Sequence, residues 1–340
     1  EPPMTNTLTN RRVILSSRPK GVPQPEHFTV EDVAVPDLAD GQFLLKMHYW
    51  SIDPAMRGWA NELPNYLPPV AIGAAMRAFT VGEIIESRHD DYQVGEVVTG
   101  KFGWNSYAIS DGSDVDRKVG ETDLPTSLSV GVLGLNGITA YLGLLDVCEP
   151  QPGDTVIVST AAGAVGSAVG QIARIKDART IGITSSPEKM ALCKDQFGYD
   201  EVISYREDGL AGAIKAAAPN GVNCYFDNTC GEISDAVFTN LSLGARICIC
   251  GTASLTDWDP IPVGPRVHRQ LLVARARLQG FLVLDHQARF GEAVAQLADW
   301  VRSGELTYQE HVLEGVEAAP GAIDLLYRGG NRGKLLVGLG

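Results

Sequence analysis

From Arg12 to about Gly120, short apolar runs such as Phe43-Leu-Leu-Lys-Met-His-Tyr49 and Val81-Gly-Glu-Ile-Ile-Glu86 alternate with proline and glycine punctuation. That pattern predicts a mostly β domain. Asp91 to Gly100 reads as a turn followed by a strand, and Pro152-Gly153-Asp154 introduces the next strand in a similar way. After Leu128 the pattern changes to an Ala- and Gly-rich helical stretch, then Thr155-Val-Ile-Val-Ser159, an apolar run of strand length. The periodicity next predicts a helix over Val169–Lys176, a strand over Thr180–Thr184, a helix over Pro187–Phe197, a strand over Glu201–Ser204 and a strand at Tyr225-Phe-Asp227. Arg246 to Gly251 and Leu278 to Leu284 continue the alternation, and a helix from roughly Gln287 to Val301 follows, the last two elements closing the sheet. Alternating strands and helices imply a parallel sheet covered on both faces. Beyond Gly304 short strands and one helix return, ending in Gly333-Lys-Leu-Leu-Val-Gly338. The expected organisation is a substrate domain over residues 1–128, a dinucleotide-binding domain over 129–303, and a return to the first domain over 304–340.

Charge and cysteine content narrow the partners. Lys and Arg number 28 against 41 Asp and Glu, a formal charge of -13, which offers no basic footprint for nucleic acid or anionic lipid. No apolar run has the length of a membrane-spanning helix and no signal peptide is legible, so neither nucleic acid nor membrane is an expected partner and the expected setting is cytoplasmic. Met4 reads as a native start, which sets Glu1-Pro2-Pro3 aside from the fold. Cys148, Cys193, Cys224, Cys230, Cys248 and Cys250 contain no CxxC pair and read as reduced thiols, most of them in the core.

Directly after the Thr155–Ser159 run comes Ala161-Ala-Gly163-Ala-Val-Gly166-Ser-Ala-Val-Gly170, opening a helix. Gly163 lets backbone N–H groups approach a pyrophosphate, Gly166 lets the helix pack closely on the strand, and the helix N-terminus favours negative charge. Glycine and alanine also gather wherever a helix crosses a sheet tightly, but strand, loop, helix and second strand occur here in the order a dinucleotide site needs. An acid at the end of the second strand would bind a ribose 2′-OH and repel a 2′-phosphate. The chain has Thr184-Ser185-Ser186-Pro-Glu-Lys189 instead, so NADP(H) is expected over NAD(H). Alone, Lys189 reads equally as a solvated helix residue.

Catalytic zinc needs three protein ligands and structural zinc four. The first domain has no cysteine, and His27, His48 and His89 are widely spaced, so no metal is expected.

Taken together, these residues resemble the zinc-independent medium-chain dehydrogenase/reductases, in the leukotriene B4 dehydrogenase, prostaglandin reductase and alkenal double-bond reductase branch. The segments that carry the resemblance are Ser51-Ile-Asp53-Pro54-Ala-Met56-Arg57-Gly58, Gly137-Ile-Thr-Ala-Tyr141, Ala161 to Gly170, Tyr225-Phe-Asp227-Asn228, Cys250-Gly251, Gln279-Gly-Phe281 and Asn331-Arg-Gly-Lys334. The resemblance implies a doubly wound α/β Rossmann domain inserted into a mostly β, GroES-like substrate domain. It implies that Gly163, Ala164, Val165 and Gly166 hold the pyrophosphate and that Lys189 and Tyr205 grip the 2′-phosphate. Asn228, Cys250, Gly251, Phe281, Leu282, Val283 and Asn331 would line the nicotinamide half. Read singly, Asn228 is also a helix cap, Cys250 or Phe281 a core residue, Tyr205 a half-buried strand-end tyrosine and Asn331 a turn residue.

The implied activity is hydride transfer from NADPH to the β-carbon of an α,β-unsaturated ketone or aldehyde, with the cofactor ribose hydroxyl, Tyr66 or an ordered water as the candidate donor to the carbonyl oxygen, Tyr66 the candidate catalytic residue, and a homodimer the expected assembly. Tyr66 reads as well as a tyrosine packed on the Asn65-Tyr66-Leu-Pro-Pro69 loop. Quinone reduction, or NADPH sensing without turnover, are the competing readings. Two departures from the family pattern bear on the substrate. Thr252-Ala-Ser254-Leu-Thr256-Asp-Trp258 lacks the usual tyrosine, and Gly73-Ala-Ala-Met76-Arg77-Ala-Phe79 replaces an acid and a glycine.

Overall fold

The computed structural model describes residues 8–63 and 65–340. The Glu1–Met4 reading lies outside the described residues. The chain divides into two compact units, one running to Val130 and resuming over Glu310–Asn331 and Leu335–Gly340, the other spanning Gly131–Gln309 and Arg332–Lys334.

The first unit opens with the hairpin of β1 (Thr9–Leu15) and β2 (Phe28–Ala34). Strands β3 (Phe43–Ser51), β4 (Thr80–Ser87), β5 (Val97–Gly100), β6 (Tyr107–Ser110) and β7 (Val115–Lys118) build an antiparallel sheet, and the short helix α1 (Ala55–Ala60) lies between β3 and β4. Every second residue of a strand faces the same side. Leu45 and Met47 on β3 and Ile84 on β4 accordingly join Met56, Trp59 and Trp104 in one buried cluster.

The second unit carries six strands: β8 (Thr155–Ser159), β9 (Arg179–Thr184), β10 (Glu201–Ser204), β11 (Val222–Asp227), β12 (Leu241–Ile249) and β13 (Arg277–Gly280). Its helices are α2 (Leu135–Leu142), α3 (Ala164–Ile175), α4 (Pro187–Ala191), α5 (Leu210–Ala217), α6 (Gly231–Phe238), α7 (His268–Ala274) and α8 (Phe290–Ser303). The sheet order is β10-β9-β8-β11-β12-β13 with parallel pairing throughout. Ile157, Ile181, Ile183, Tyr225 and Ile247, one or two from each central strand, form a buried core. Connections leave β8 toward β9 and β11 toward β12, so the strand order reverses between β8 and β11. In open α/β sheets a ligand binds at that point, outside the carboxyl ends of the strands.

The chain then rejoins the first unit: β14 (Glu310–Glu314) and β15 (Lys334–Gly338) extend its sheet beside β3, with helix α9 (Ala322–Tyr327) between them.

Three expectations need correction. The strand expected over Leu278–Leu284 stops at Gly280, and Val283–Arg289 is 3₁₀ helix, because only Phe281 still pairs, its N–H donating to the Ile249 carbonyl at 2.9 Å. The helix expected over Pro187–Phe197 is α-helical to Ala191 and widens into a π turn over Leu192–Gln196. Helix α3 begins at Ala164, five residues before the apolar stripe suggested, because Gly163 closes the preceding loop. Among the described residues no helix is long and apolar enough to cross a membrane.

Candidate functional site

The loop between β8 and α3 is set by backbone contacts that side chains would obstruct. A Cβ on Gly166 would lie 2.9 Å from the Thr160 carbonyl carbon and 3.0 Å from Ala161 Cα, so the helix approaches the strand end only because that atom is missing. One on Gly170 would strike the Tyr199 ring, whose hydroxyl donates to the Gly166 carbonyl at 2.6 Å and clamps the first turns of α3. Gly163 differs. Its φ of -79° suits any residue, and only Thr160 O, at 3.2 Å, would crowd a Cβ there. The protein fills little of the space in front of Gly163. Helix α3 has no side-chain cap and no acid in its first turn. Its leading N–H groups, which have no partner within a helix, are therefore left to an outside anion.

The register of β9 with β10 pairs Thr184 with Ser204, so the segments that follow both strands emerge side by side. Tyr205 donates its N–H to the Thr184 carbonyl at 3.1 Å and exposes 41% of its surface, more than a half-buried packing role would leave. The Ser186 hydroxyl accepts from the Lys189 N–H at 3.3 Å and caps α4. Lys189 is half-buried, and its pKa is lowered by desolvation first and by the Arg206 guanidinium second, with Glu188 opposing. Arg332 pairs with Glu188 at 3.4 Å. Lys189 and Arg206 thus lie within electrostatic range of each other, beside a strand β9 that ends in Thr184 and is followed by Ser185 and Ser186 and not by an acid. Sequence reasoning missed Arg206 and Arg332; an arginine directly after Tyr205 was the available signal.

At the β8–β11 switch point, Asn228 donates twice to Ser159, from its N–H to the hydroxyl and from Nδ2 to the carbonyl, each at 2.8 Å. It is a tie between strands, and α6 starts with Cys230 at its N-cap, so the helix-cap reading of Asn228 does not hold. The organiser is Asp227, fully buried at the end of β11. Its carboxylate accepts from Thr229 N at 2.9 Å, Cys230 N at 2.7 Å and Ser234 Oγ at 2.5 Å. Its carbonyl accepts from Cys250 N at 2.8 Å and Gly251 N at 3.1 Å. An acid ending a buried apolar strand must be compensated in this way, and that was the signal in Tyr225-Phe-Asp227. Gly251 is required for closeness, since a Cβ would stand 2.9 Å from the Asn228 carbonyl oxygen.

Burial, and secondarily Asp227, pushes the Cys250 thiol up to about 12, so it stays a neutral thiol near pH 7. Phe281 is half-buried and stacks on His286 with centroids 5.0 Å apart. Leu282 and Val283 continue from it into the 3₁₀ turn. In the segment after Gly251, Ser254 Oγ donates to Thr229 O at 2.6 Å, which fastens the loop over the start of α6.

Tyr66 and Asn331 belong to the other unit. Asn331 is buried and Tyr66 is 48% exposed. Tyr66 lies within electrostatic range of Arg77 and Tyr327. Burial pushes the Tyr327 phenol up to about 12, and its hydroxyl is committed to the Pro54 carbonyl at 2.8 Å. Among the described residues no group of three or more His, Cys, Asp or Glu is placed to hold a metal ion.

A parallel sheet of this order, with a glycine loop opening an uncapped helix, is that of a dinucleotide-dependent oxidoreductase. Residues 11–117 match the family model described as the N-terminal domain of oxidoreductase, and residues 164–299 match the one described as zinc-binding dehydrogenase. The NADPH-dependent curcumin reductase of Escherichia coli is 39% identical over 96% of this chain and 96% of its own length. The NADP⁺-dependent 2-alkenal reductase of Nicotiana tabacum is 34% identical over 98% of each. Among solved structures, CurA from Vibrio vulnificus in complex with NADPH superposes with a TM-score of 0.91 at 39% identity, covering 97% of this chain and 99% of that one. The chain belongs to the medium-chain dehydrogenase/reductase family, in its zinc-independent branch of prostaglandin and alkenal reductases.

Proposed function

We propose that this protein is an NADPH-dependent reductase that saturates the carbon–carbon double bond of α,β-unsaturated ketones or aldehydes. The observation that carries the reading is full-length similarity to relatives named for curcumin and 2-alkenals. The residues present suit the cofactor. Gly163 leaves room for a pyrophosphate before the uncapped α3, with Ala164, Val165 and Gly166 supplying N–H groups. Lys189, Tyr205 and Arg206 suit a 2′-phosphate, since paired cations and a hydroxyl compensate its charge where an acid would repel it. Asn228, Cys250, Gly251, Phe281, Leu282, Val283 and Asn331 would line the nicotinamide half.

When bound, NADPH supplies the hydride for the β-carbon. This chain's own part is to orient the acceptor and manage the charge that develops on its carbonyl oxygen. Tyr66, a half-exposed tyrosine within electrostatic range of Arg77, is the donor we assign to that oxygen or to the α-carbon. The first unit takes the unsaturated carbonyl compound and the second holds the cofactor. Tyr66→Phe is expected to lower kcat/KM about 10²-fold, the low end of a general-acid contribution; unchanged turnover and affinity would remove the role.

The test is NADPH oxidation, with NADH as control, against alkenals, aryl enones and quinones, with products identified by mass spectrometry. Saturated carbonyl products support the reading. Quinols alone overturn it in favour of quinone reduction, and NADPH binding without turnover overturns it in favour of a sensor.

A homodimer joined through β13 accords with the second unit. That strand ends the sheet, all its residues are exposed, and Leu243, Leu272, Val273 and Leu278 add exposed apolar surface. An open edge of this kind is a template for pairing with another chain. Sedimentation as monomer alone would contradict it. Six cysteines with free thiols accord with a reducing, cytoplasmic setting.

A further inference from the structure

Phe281 is where the chain leaves the sheet after β13. Its N–H donates to the Ile249 carbonyl at 2.9 Å, and the residues that follow turn away into the 3₁₀ segment Val283–Arg289. That segment is two turns joined at a break. The Asp285 N–H donates to the Leu282 carbonyl at 3.1 Å and the Phe290 N–H to the Gln287 carbonyl, while His286 between them has φ -116° and ψ 24°, outside helical geometry. At the break the imidazole folds back onto Phe281, with ring centroids 5.0 Å apart and planes inclined by 20°. Gly143, which follows α2, lets the same ring come close. A Cβ there would stand 3.3 Å from Phe281 Cδ1 and 3.0 Å from Cε2 of the buried Phe226. Beyond the break, Arg289 pairs with Asp146 and, at 3.0 Å, with Glu292, but these side chains are 39%, 32% and 52% accessible. Ion pairs so exposed are screened by solvent, and a stacked aromatic pair contributes more. The stack is therefore the stronger tie on the turn that follows Phe281.

We infer that His286 is a positioning residue for the nicotinamide half of the cofactor: stacked on Phe281, its imidazole holds the Phe281–Val283 backbone in the conformation that lines the nicotinamide. The inference rests on the assignment of those three residues to the cofactor. A segment already held in its binding conformation loses less freedom when the ligand arrives, and that saving appears as affinity.

The experiment measures Kd by fluorescence titration for NADPH and for 2′-phospho-ADP-ribose, which lacks only the nicotinamide, in the wild type, His286→Phe, His286→Leu and His286→Gln, each with a melting curve. Phenylalanine keeps a ring to stack, whereas leucine and glutamine remove it, one apolar and one polar, so that a folding defect peculiar to either leaves the other. NADPH is expected to bind about two- to tenfold more weakly to His286→Leu and His286→Gln, the scale of one aromatic pair, and within twofold of the wild type to His286→Phe. The affinity for 2′-phospho-ADP-ribose should be the same in all four proteins, because the 2′-phosphate and pyrophosphate are held elsewhere. A merely structural role would weaken both ligands together. NADPH affinity unmoved by loss of the ring, equal weakening of both ligands, or a His286→Phe protein no better than His286→Leu overturns the inference alone. A wild type that binds neither ligand overturns the cofactor reading and this inference with it.

Discussion

Replacing Cys230 by glycine should stabilise the second unit. Cys230 has φ +64° and ψ -164°, a conformation in which a Cβ is badly placed and which glycine alone adopts readily. The residue is held there because its N–H donates to the buried Asp227 carboxylate at 2.7 Å while the next residue starts α6. Holding a side-chain-bearing residue in such a region costs about 1–3 kcal/mol. Glycine returns roughly 0.4–1 kcal/mol of that through greater freedom of the unfolded chain. The half-buried thiol is in no disulfide and has only a weak hydrogen bond with the Gly231 N–H to lose, so little else is lost. A net gain of about 1 kcal/mol corresponds to a rise in Tm of about 2–4 °C for a unit of this size. The assay is thermal unfolding followed by circular dichroism for wild type, Cys230→Gly and Cys230→Ala. Alanine keeps the Cβ and with it the strain, so it should show no gain. A Cys230→Gly protein no more stable than Cys230→Ala would refute the reasoning, because the two differ mainly in that Cβ.

Other consequences separate ligand space from packing. Gly166→Ala should cost about 1–3 kcal/mol of stability with no cofactor present, because its Cβ meets backbone that cannot move freely. Gly163→Ala should leave Tm nearly unchanged yet weaken NADPH about tenfold, or ~1.4 kcal/mol; calorimetric titration beside a melting curve distinguishes the two variants, and equal effects on both quantities would contradict the division. Asp227→Asn puts an amide where three donors converge and should cost about 2–3 kcal/mol while weakening NADPH binding, read by melting and by fluorescence titration. His48 should titrate below 6.5 in an NMR experiment, since burial lowers its pKa more than Glu83 raises it. The unfolded chain then binds the proton more readily, so this contribution to stability is present above pH 6.5 and lost as pH falls through the folded value. A His48 pKa at or above 6.5 would remove it.

Strand and helix alternation, the glycine loop and the lack of an acid after β9 were legible in the sequence because each is a local property: period, backbone freedom and side-chain charge over a few residues. Lys189 and Tyr205 were assigned through family resemblance, and the register of Thr184 with Ser204 brings the ends of the two strands that precede them side by side. The shortening of β13 was not legible, since an apolar run such as Leu278–Leu284 fits a strand or a turn equally until its partner strand ends at Ile249. Nor was the part played by Asp227 and Ser159, which lie 68 positions apart yet flank one switch point through Asn228. By itself the sequence determined the class of fold and the kind of cofactor loop, because those follow from chain stiffness and charge nearby. Only the tertiary structure decided which cations come together after β9 and β10 and which acid organises the turn between β11 and α6, because each depends on contacts between residues distant along the chain.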